Sequence, residues 1–126
     1  MVDALLDTAI VVDLLRAYTP AAQWINSQNQ TFGVTKFVWM EIVRGCEDKP
    51  SLRRATQLLE RFELIQIQVE DIDWALEKLV LFNLSHNIDY LDCLIAAPAQ
   101  RLQTPLYTRN MKHFAPLLGE LAQQPY

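Results

Sequence analysis

The chain has 126 residues, of which 51% are hydrophobic and only three are glycine, and its formal net charge is −4. This length fits one domain with a sizeable core, and the composition argues against long disordered segments. The acidic total argues weakly against nonspecific binding to nucleic acid.

Local features narrow the class of protein further. The sequence has no run of about 18 apolar residues, which argues against a membrane span. Its start lacks the basic residues and cleavage site of a signal peptide. Cys46 and Cys93 have no metal-ligand spacing and are predicted to be reduced thiols of a cytoplasmic protein.

Cations cluster in residues 36–61 and 101–112, and this pattern fits either a modest positive face or an ordinary solvated surface.

The chain opens with a predicted buried strand at residues 3–6 and a predicted helix from Thr8 onward. Asp7 lies at the junction between them. Ligands of open α/β sheets bind beyond the carboxyl ends of the strands, which makes Asp7 a functional candidate. On this stretch alone, a helix-capping role for Asp7 or Thr8 is the simpler interpretation.

A second strand is predicted at residues 31–35, followed by a helix over residues 37–45 that Thr35 can cap and Gly45 can end. Glu41 lies in the middle of this apolar helix. Because an unpaired buried carboxylate is costly, Glu41 needs a partner. The candidates are Arg44, a backbone donor or a metal ion.

The middle of the chain predicts a helix capped by Ser51, whose apolar residues recur at helical spacing. Alternating apolar and polar residues then predict a strand over residues 64–69. A helical pattern follows over residues 70–84.

The last third begins with an almost wholly apolar predicted helix, residues 88–100, whose first turns contain Asp89 and Asp92. Pro98 is expected to kink or loosen this helix. A short strand at residues 106–108, a helix or turn from 111 to 114, and an edge strand within residues 121–126 complete the chain. The order of elements predicts an α/β fold with a parallel sheet of about four to five strands, flanked by helices on both faces.

Polar residues in apolar surroundings fall at strand ends and helix starts. In a parallel sheet, the positions of these residues share one edge; they are Asp7, Glu41, Asp92, Thr108 and Asn110. Two like charges 4 Å apart cost roughly 4 kcal/mol at an effective dielectric near 20. A hard divalent cation such as Mg²⁺ or Mn²⁺ offsets such repulsion. A cation of this kind supports hydrolysis by an activated water, with phosphodiesters as the natural substrate class.

These residues lie within stretches that resemble PIN-domain ribonucleases, in particular VapC-type toxins of bacterial toxin–antitoxin pairs. The matching stretches follow the family's order and are residues 6–8 with 12–15, 41–45, 91–97 and 107–114. The resemblance covers essentially the whole chain as one PIN-like domain, residues 1–126. It implies a Mg²⁺- or Mn²⁺-dependent endoribonuclease, an RNA substrate, a cognate antitoxin that blocks the site, and a homodimer.

Carried over by position, the resemblance implies that Asp7 and Asp92 are the principal metal-binding acids. Glu41 resembles the third acid, which binds the metal directly or through water. Thr108 resembles the hydroxyl that supports this corner. Asn110 falls where many members have aspartate and many toxins have asparagine, so it would orient water or phosphate. His113 stands where an acid often precedes the phenylalanine, which argues against a fully acidic second metal site.

Alternatives stay open for residues and for function. Asp89 fits a helix cap better than a fourth ligand, Asp13 fits a solvated helix acid, and His113 fits a structural or surface residue. The chain could instead be a PIN-like module that binds RNA or protein without cleaving. A metal-dependent phosphohydrolase acting on DNA or small phosphate esters is the remaining alternative.

Overall fold

The computed structural model describes all 126 residues and contains five strands and seven α-helices. The strands are β1 (Ala4–Leu6), β2 (Phe32–Thr35), β3 (Glu63–Ile65), β4 (Leu106–Tyr107) and β5 (Ala122–Gln123). The helices are α1 (Thr8–Leu15), α2 (Thr19–Ser27), α3 (Lys36–Arg44), α4 (Lys49–Leu59), α5 (Val69–His86), α6 (Tyr90–Leu102) and α7 (Met111–Leu118). A single turn of 3₁₀ helix, Gly119–Leu121, leads into β5.

The five strands form one sheet in the order β3-β2-β1-β4-β5, and every neighbouring pair is parallel. Leu5 of β1 is in register with Gly33 on one side and with Leu106 on the other. The chain therefore moves outward through β2 and β3, then returns to the other side of β1. This reversal between β1 and β4 is the position at which open α/β sheets form their binding crevice.

The helices form two groups that follow from this strand order. Helices α1, α3 and α4 contact one another and α2 contacts α1, whereas α5, α6 and α7 contact one another; α3 and α6 connect the two groups. Right-handed crossovers that run in opposite directions along a sheet place their helices on opposite faces. The predicted α/β fold with helices on both faces is thus confirmed.

Burial explains the apolar character of the central strands. All residues of β1 and β2 are buried, as expected for strands covered on both faces. The core includes Ile10, Ile95 and Phe114 from three different helices, each at most 1% exposed. No helix is both long and apolar enough to span a membrane. Both cysteines are free thiols, as predicted.

Two predicted boundaries are wrong, and in both cases a capping box places the start of the helix. Helix α4 starts at Lys49, where Asp48 accepts a hydrogen bond from the Ser51 backbone and Ser51 bonds back to Asp48. Ser51 is therefore the third helical residue of a capping box. Likewise the strand predicted at 64–69 ends at Ile65, because Gln68 and Asp71 form the reciprocal cap that opens α5. Helix α6 continues past Pro98 to Leu102 without interruption.

Asp13 is not the solvated helix acid that the sequence favours. It is 9% exposed and accepts hydrogen bonds from Arg109 (2.9 Å) and from the Tyr126 hydroxyl (2.7 Å). The Arg109 guanidinium also lies over the rings of Tyr18 and Tyr126. These contacts tie the C-terminal segment to α1 beside the end of β4.

Candidate active site

Asp7 follows the last residue of β1 and is the N-cap of α1. One carboxylate oxygen accepts a hydrogen bond from the Thr8 backbone at 2.7 Å, and the other accepts one from the Thr108 hydroxyl at 2.8 Å. The residue is 5% exposed. Asp7 is therefore the cap of α1, and this role is compatible with its predicted functional role.

Glu41 reaches the same region from the middle of α3. Its Oε1 accepts a hydrogen bond from the Thr8 hydroxyl at 2.8 Å. Thr8 therefore orients Glu41, and of the two residues considered as the cap of α1 it is Asp7 that caps the helix. Arg44 forms no ion pair with Glu41, so the partner of this acid is a neutral hydroxyl rather than a cation.

Asp92 lies in the first turn of α6, where Asp89 is the N-cap and accepts a hydrogen bond from the Asp92 backbone at 3.0 Å. The capping role favoured for Asp89 is confirmed. Asp92 Oδ2 lies 3.0 Å from His113 Nδ1 on α7. The Asp92 side chain is 16% exposed, so one face of this carboxylate remains accessible to solvent.

Thr108 and Asn110 follow β4 and join these acids. Thr108 is fully buried, donates its hydroxyl proton to Asp7, and accepts a hydrogen bond from the Asn110 backbone at 2.9 Å. The Asn110 amide lies 3.0 Å from His113 Nδ1. Whether the imidazole bonds to Asn110 or Asp92 depends on which ring nitrogen carries the proton.

Burial and nearby negative charge raise the pKa values of Asp7 and Asp92. Burial, opposed by hydrogen bonds from Thr108 and Thr8 and reinforced by the charges of Asp92 and Glu41, raises the pKa of Asp7 from 3.8 to about 6. Burial and the nearby Asp89 also raise the pKa of Asp92. Asp7 therefore lies within electrostatic reach of both other predicted acids, and that clustering costs free energy.

The donor set fits a hard cation, but the acids do not form a closed cage. No three acidic, histidine or cysteine side chains are grouped so that they could hold a metal ion. Both oxygens of Asp7 accept hydrogen bonds from threonines, and Glu41 and Asp92 each have a protein partner. Mg²⁺ binds through one or two carboxylates and keeps several waters. Asp7 and Asp92 as ligands, with Glu41 acting through water, match that preference.

The structure brings together all five predicted site residues, whose roles stay predictions. It also adds Thr8, for which the sequence suggests at most a capping role, and His113, for which it favours a structural or surface role. The sequence signals for His113 are its family position, where an acid often precedes the phenylalanine, and its spacing of three from Asn110 at a helix start, which places both on one face. Nothing in the sequence alone indicates that Thr8 turns toward α3.

Thr108→Val is expected to destabilise the protein by about 2 kcal/mol, because it leaves the Asp7 carboxylate without its buried donor and the Asn110 N–H without its acceptor. Chemical denaturation at pH 7.5 measures this loss. Thr108→Ser keeps the hydroxyl and is expected to lose about 1 kcal/mol or less. Equal losses in the two variants would mean that the hydroxyl contributes nothing and that only packing matters.

Comparisons with known proteins agree with this fold. The chain is similar to a protein in a toxin–antitoxin complex from Klebsiella pneumoniae, with 29% identity, 98% of each chain covered and a TM-score of 0.77. VapBC2 from Rickettsia felis, solved with a promoter DNA fragment, shares the fold at 18% identity, with 96% of this chain and 97% of that chain covered and a TM-score of 0.78.

The sarcin–ricin loop cleaving toxin VapC20 from Mycobacterium tuberculosis also shares the fold. It is 16% identical, 90% of this chain and 94% of that chain are covered, and the TM-score is 0.69. No curated protein matches the sequence significantly. The family model of the PIN domain matches residues 4–115, which include every predicted site residue. The chain therefore belongs to the PIN-domain family.

Proposed function

We propose that the protein is a metal-dependent endoribonuclease and the toxin of a toxin–antitoxin pair. The observation that supports this most strongly is the convergence of Asp7, Glu41 and Asp92 at the switch point of a PIN-domain sheet. Structural packing alone has no use for a buried carboxylate such as Asp7, whose pKa is raised by burial and, to a smaller degree, by the charges of Asp92 and Glu41. The mutual repulsion of these acids instead favours a positively charged ligand at this place.

Asp7 and Asp92 would hold a Mg²⁺ or Mn²⁺ ion, with Glu41 acting through water. When bound, such an ion supplies an activated water and neutralises charge on the phosphate oxygens. The protein's own groups do the rest. Thr108 fixes the rotamer of Asp7, and Thr8 fixes that of Glu41, so the acids stay in place as substrate arrives.

Asn110 and His113 form the other side of the site. The neutral Asn110 amide can donate to a phosphate oxygen without repelling it. His113 already contacts Asp92, so its imidazole orients that carboxylate. The proposal gives both residues positioning roles and leaves metal binding to the acids.

The test is cleavage of RNA by the purified chain with Mn²⁺ or Mg²⁺, compared with EDTA. A structured ribosomal RNA fragment containing the sarcin–ricin loop is a reasonable first substrate, because a protein with this fold is named for cleaving that loop. DNA of the same sequence and a small phosphate ester are run in parallel. Cleavage of DNA or the ester alone would support the phosphohydrolase alternative, and RNA binding without cleavage would support the non-cleaving module.

An antitoxin partner is part of the proposal, supported by the similarity to a protein of a toxin–antitoxin complex. Coexpression with the neighbouring reading frame tests it. We expect a stable complex in which RNA cleavage is suppressed. Free, active nuclease after coexpression with every flanking frame would argue against the toxin assignment.

A homodimer through α5 is the second partner prediction. This helix exposes apolar side chains at helical spacing, namely Val69, Ile72, Leu76, Val80 and Leu84, each at least 52% exposed. Monomeric proteins rarely leave such a continuous stripe in water. Light scattering is expected to show a dimer for the wild type and a monomer for Val80→Glu. The matched control is Ser85→Glu, which places the same charge at an exposed position of α5 outside the stripe and should stay dimeric. A dimer that survives Val80→Glu would move the interface elsewhere.

A further inference from the structure

A groove large enough to hold a ligand lies beside the acidic site. It has a volume of about 470 Å³ and lies between α1, α3 and α4. Glu41 lines it and is bonded to Thr8, so the groove opens onto the acidic cluster. Its size falls within the range of about 300–1,000 Å³ that ligand sites occupy.

Two cations line this groove. Arg16 extends from the end of α1 and Arg54 from the middle of α4, and both are exposed. Neither forms an ion pair within the protein, whereas Arg101 and Arg109 are both paired with buried aspartates. Arg16 and Arg54 are therefore available to an anionic ligand.

The remaining lining residues allow an anion to enter. Val12, Leu15 and Ile42 supply apolar surface. Two acids, Glu47 and Asp48, lie at the exposed rim. The Asp48 carboxylate is already engaged by the Ser51 backbone, and this bond, with a smaller effect of Arg54, lowers its pKa.

We propose that this groove binds the RNA strand next to the cleaved bond, with Arg16 and Arg54 contacting its phosphates; this rests on the proposed nuclease function. A polyanion that approaches three carboxylates is repelled, and cations close to the site offset that repulsion. Guanidinium groups suit phosphate because they donate two parallel hydrogen bonds. The apolar surface of the groove suits a ribose or base.

The experiment measures kcat and KM for RNA cleavage with Mn²⁺ over a series of salt concentrations, using Arg16→Gln, Arg54→Gln and the double variant. We expect KM to rise about fivefold for each change and about 20-fold for both, with kcat within twofold of wild type. Each lost phosphate contact should also reduce the slope of log binding against log salt by about one.

Arg53→Gln is the matched control, because Arg53 is adjacent on α4, equally charged and exposed, yet does not line the groove. Its KM should stay within twofold of wild type. Equal KM and salt slope for Arg53→Gln and Arg54→Gln would overturn the proposal. So would an unchanged RNA KM combined with lost capture of a coexpressed protein, which would assign the groove to a protein partner.

RNA binding to Asp7→Asn, with and without Arg54→Gln, separates this inference from the proposed function. RNA binding that depends on Arg54, when the wild-type protein cleaves no RNA, would support RNA binding in the groove and refute the nuclease function. RNA cleavage by the wild type, together with RNA binding that does not depend on the arginines, would refute RNA binding in the groove and support the nuclease function.

Discussion

Asp7→Asn is expected to lower kcat/KM for RNA cleavage by about 10³-fold, a loss of about 4 kcal/mol of transition-state stabilisation. Asparagine has nearly the same shape and still caps a helix well, so the fold at the start of α1 should be retained. What disappears is the negative charge that would hold the cation. Asp92→Asn should cause a similar loss, because it removes the other proposed ligand. Cleavage is measured with Mn²⁺ at saturating and limiting RNA.

The control for charge removal is Asp73→Asn on α5, whose side chain is exposed and makes no hydrogen bond or ion pair. Its activity should stay within twofold of wild type. Circular dichroism and a denaturation curve confirm that each variant is folded. Full activity in folded Asp7→Asn would refute the assignment of the site.

Substitution of two neighbouring acids is expected to reduce RNA cleavage less than Asp7→Asn does. Glu41→Gln should lose about 10- to 100-fold, as expected for a residue that acts through water. Asp89→Asn should lose less than tenfold in kcat/KM, because asparagine can also cap α6 and the Asp89 carboxylate lies next to Asp92 without being a proposed metal ligand. A loss above 100-fold for Asp89→Asn would make Asp89 a member of the site.

The fold was largely predictable because hydrophobic periodicity sets it. All five strands were anticipated, and even the two-residue β5 fell within the stretch predicted for an edge strand. The errors lie at element starts, where a few hydrogen bonds decide. Gln68 and Asp71 form a reciprocal cap, and this local contact starts α5 at Val69, the last residue of the predicted strand, while residues 66–68 form a connecting loop. An alternating pattern contains no information about that bond.

The sequence predicted which acids belong to the candidate site, but it did not predict the contacts that these residues make. An acid in an apolar stretch stands out in the sequence, which is how Asp7, Glu41 and Asp92 were found. Thr8 and His113 are ordinary residue types in amphipathic helices, and their partners lie 33 and 21 residues away in the chain. Such contacts depend on how α1 packs against α3 and how α6 packs against α7. Packing of this kind arises from the assembled fold rather than from any local pattern.

Asp7→Asn is also expected to make the metal-free protein more stable at pH 7.5, by about 2 kcal/mol. The pKa of Asp7 rises from 3.8 to about 6 on folding. At a pH above both values, ionisation of this carboxylate therefore costs the folded state about 3 kcal/mol. Asparagine removes that cost. It forfeits part of the hydrogen bond from Thr108, which offsets about 1 kcal/mol.

The stability advantage of Asp7→Asn over wild type is expected to increase with pH. Between pH 4 and 6, the folded protein keeps a proton on Asp7 that the unfolded chain releases, so lowering the pH through this range stabilises wild type relative to Asp7→Asn. The stability advantage of Asp7→Asn should thus be complete above pH 7 and shrink toward zero or below near pH 4. Urea denaturation of both proteins in EDTA at several pH values measures the difference, and other titrating groups cancel from it.

Metal ion should reverse the order of stability. A cation that binds only the folded state stabilises it by about 2.7 kcal/mol at 100 times its Kd. Mn²⁺ should therefore raise the melting temperature of wild type and leave that of Asp7→Asn nearly unchanged. If Asp7→Asn is instead less stable than wild type in EDTA at pH 7.5, the carboxylate serves mainly to hold α1 and Thr108 in place. The two results exclude each other, because at neutral pH the net effect of the Asp7 charge on the metal-free protein is either stabilising, as for a residue that serves mainly as a cap, or destabilising, as for a metal ligand without its metal.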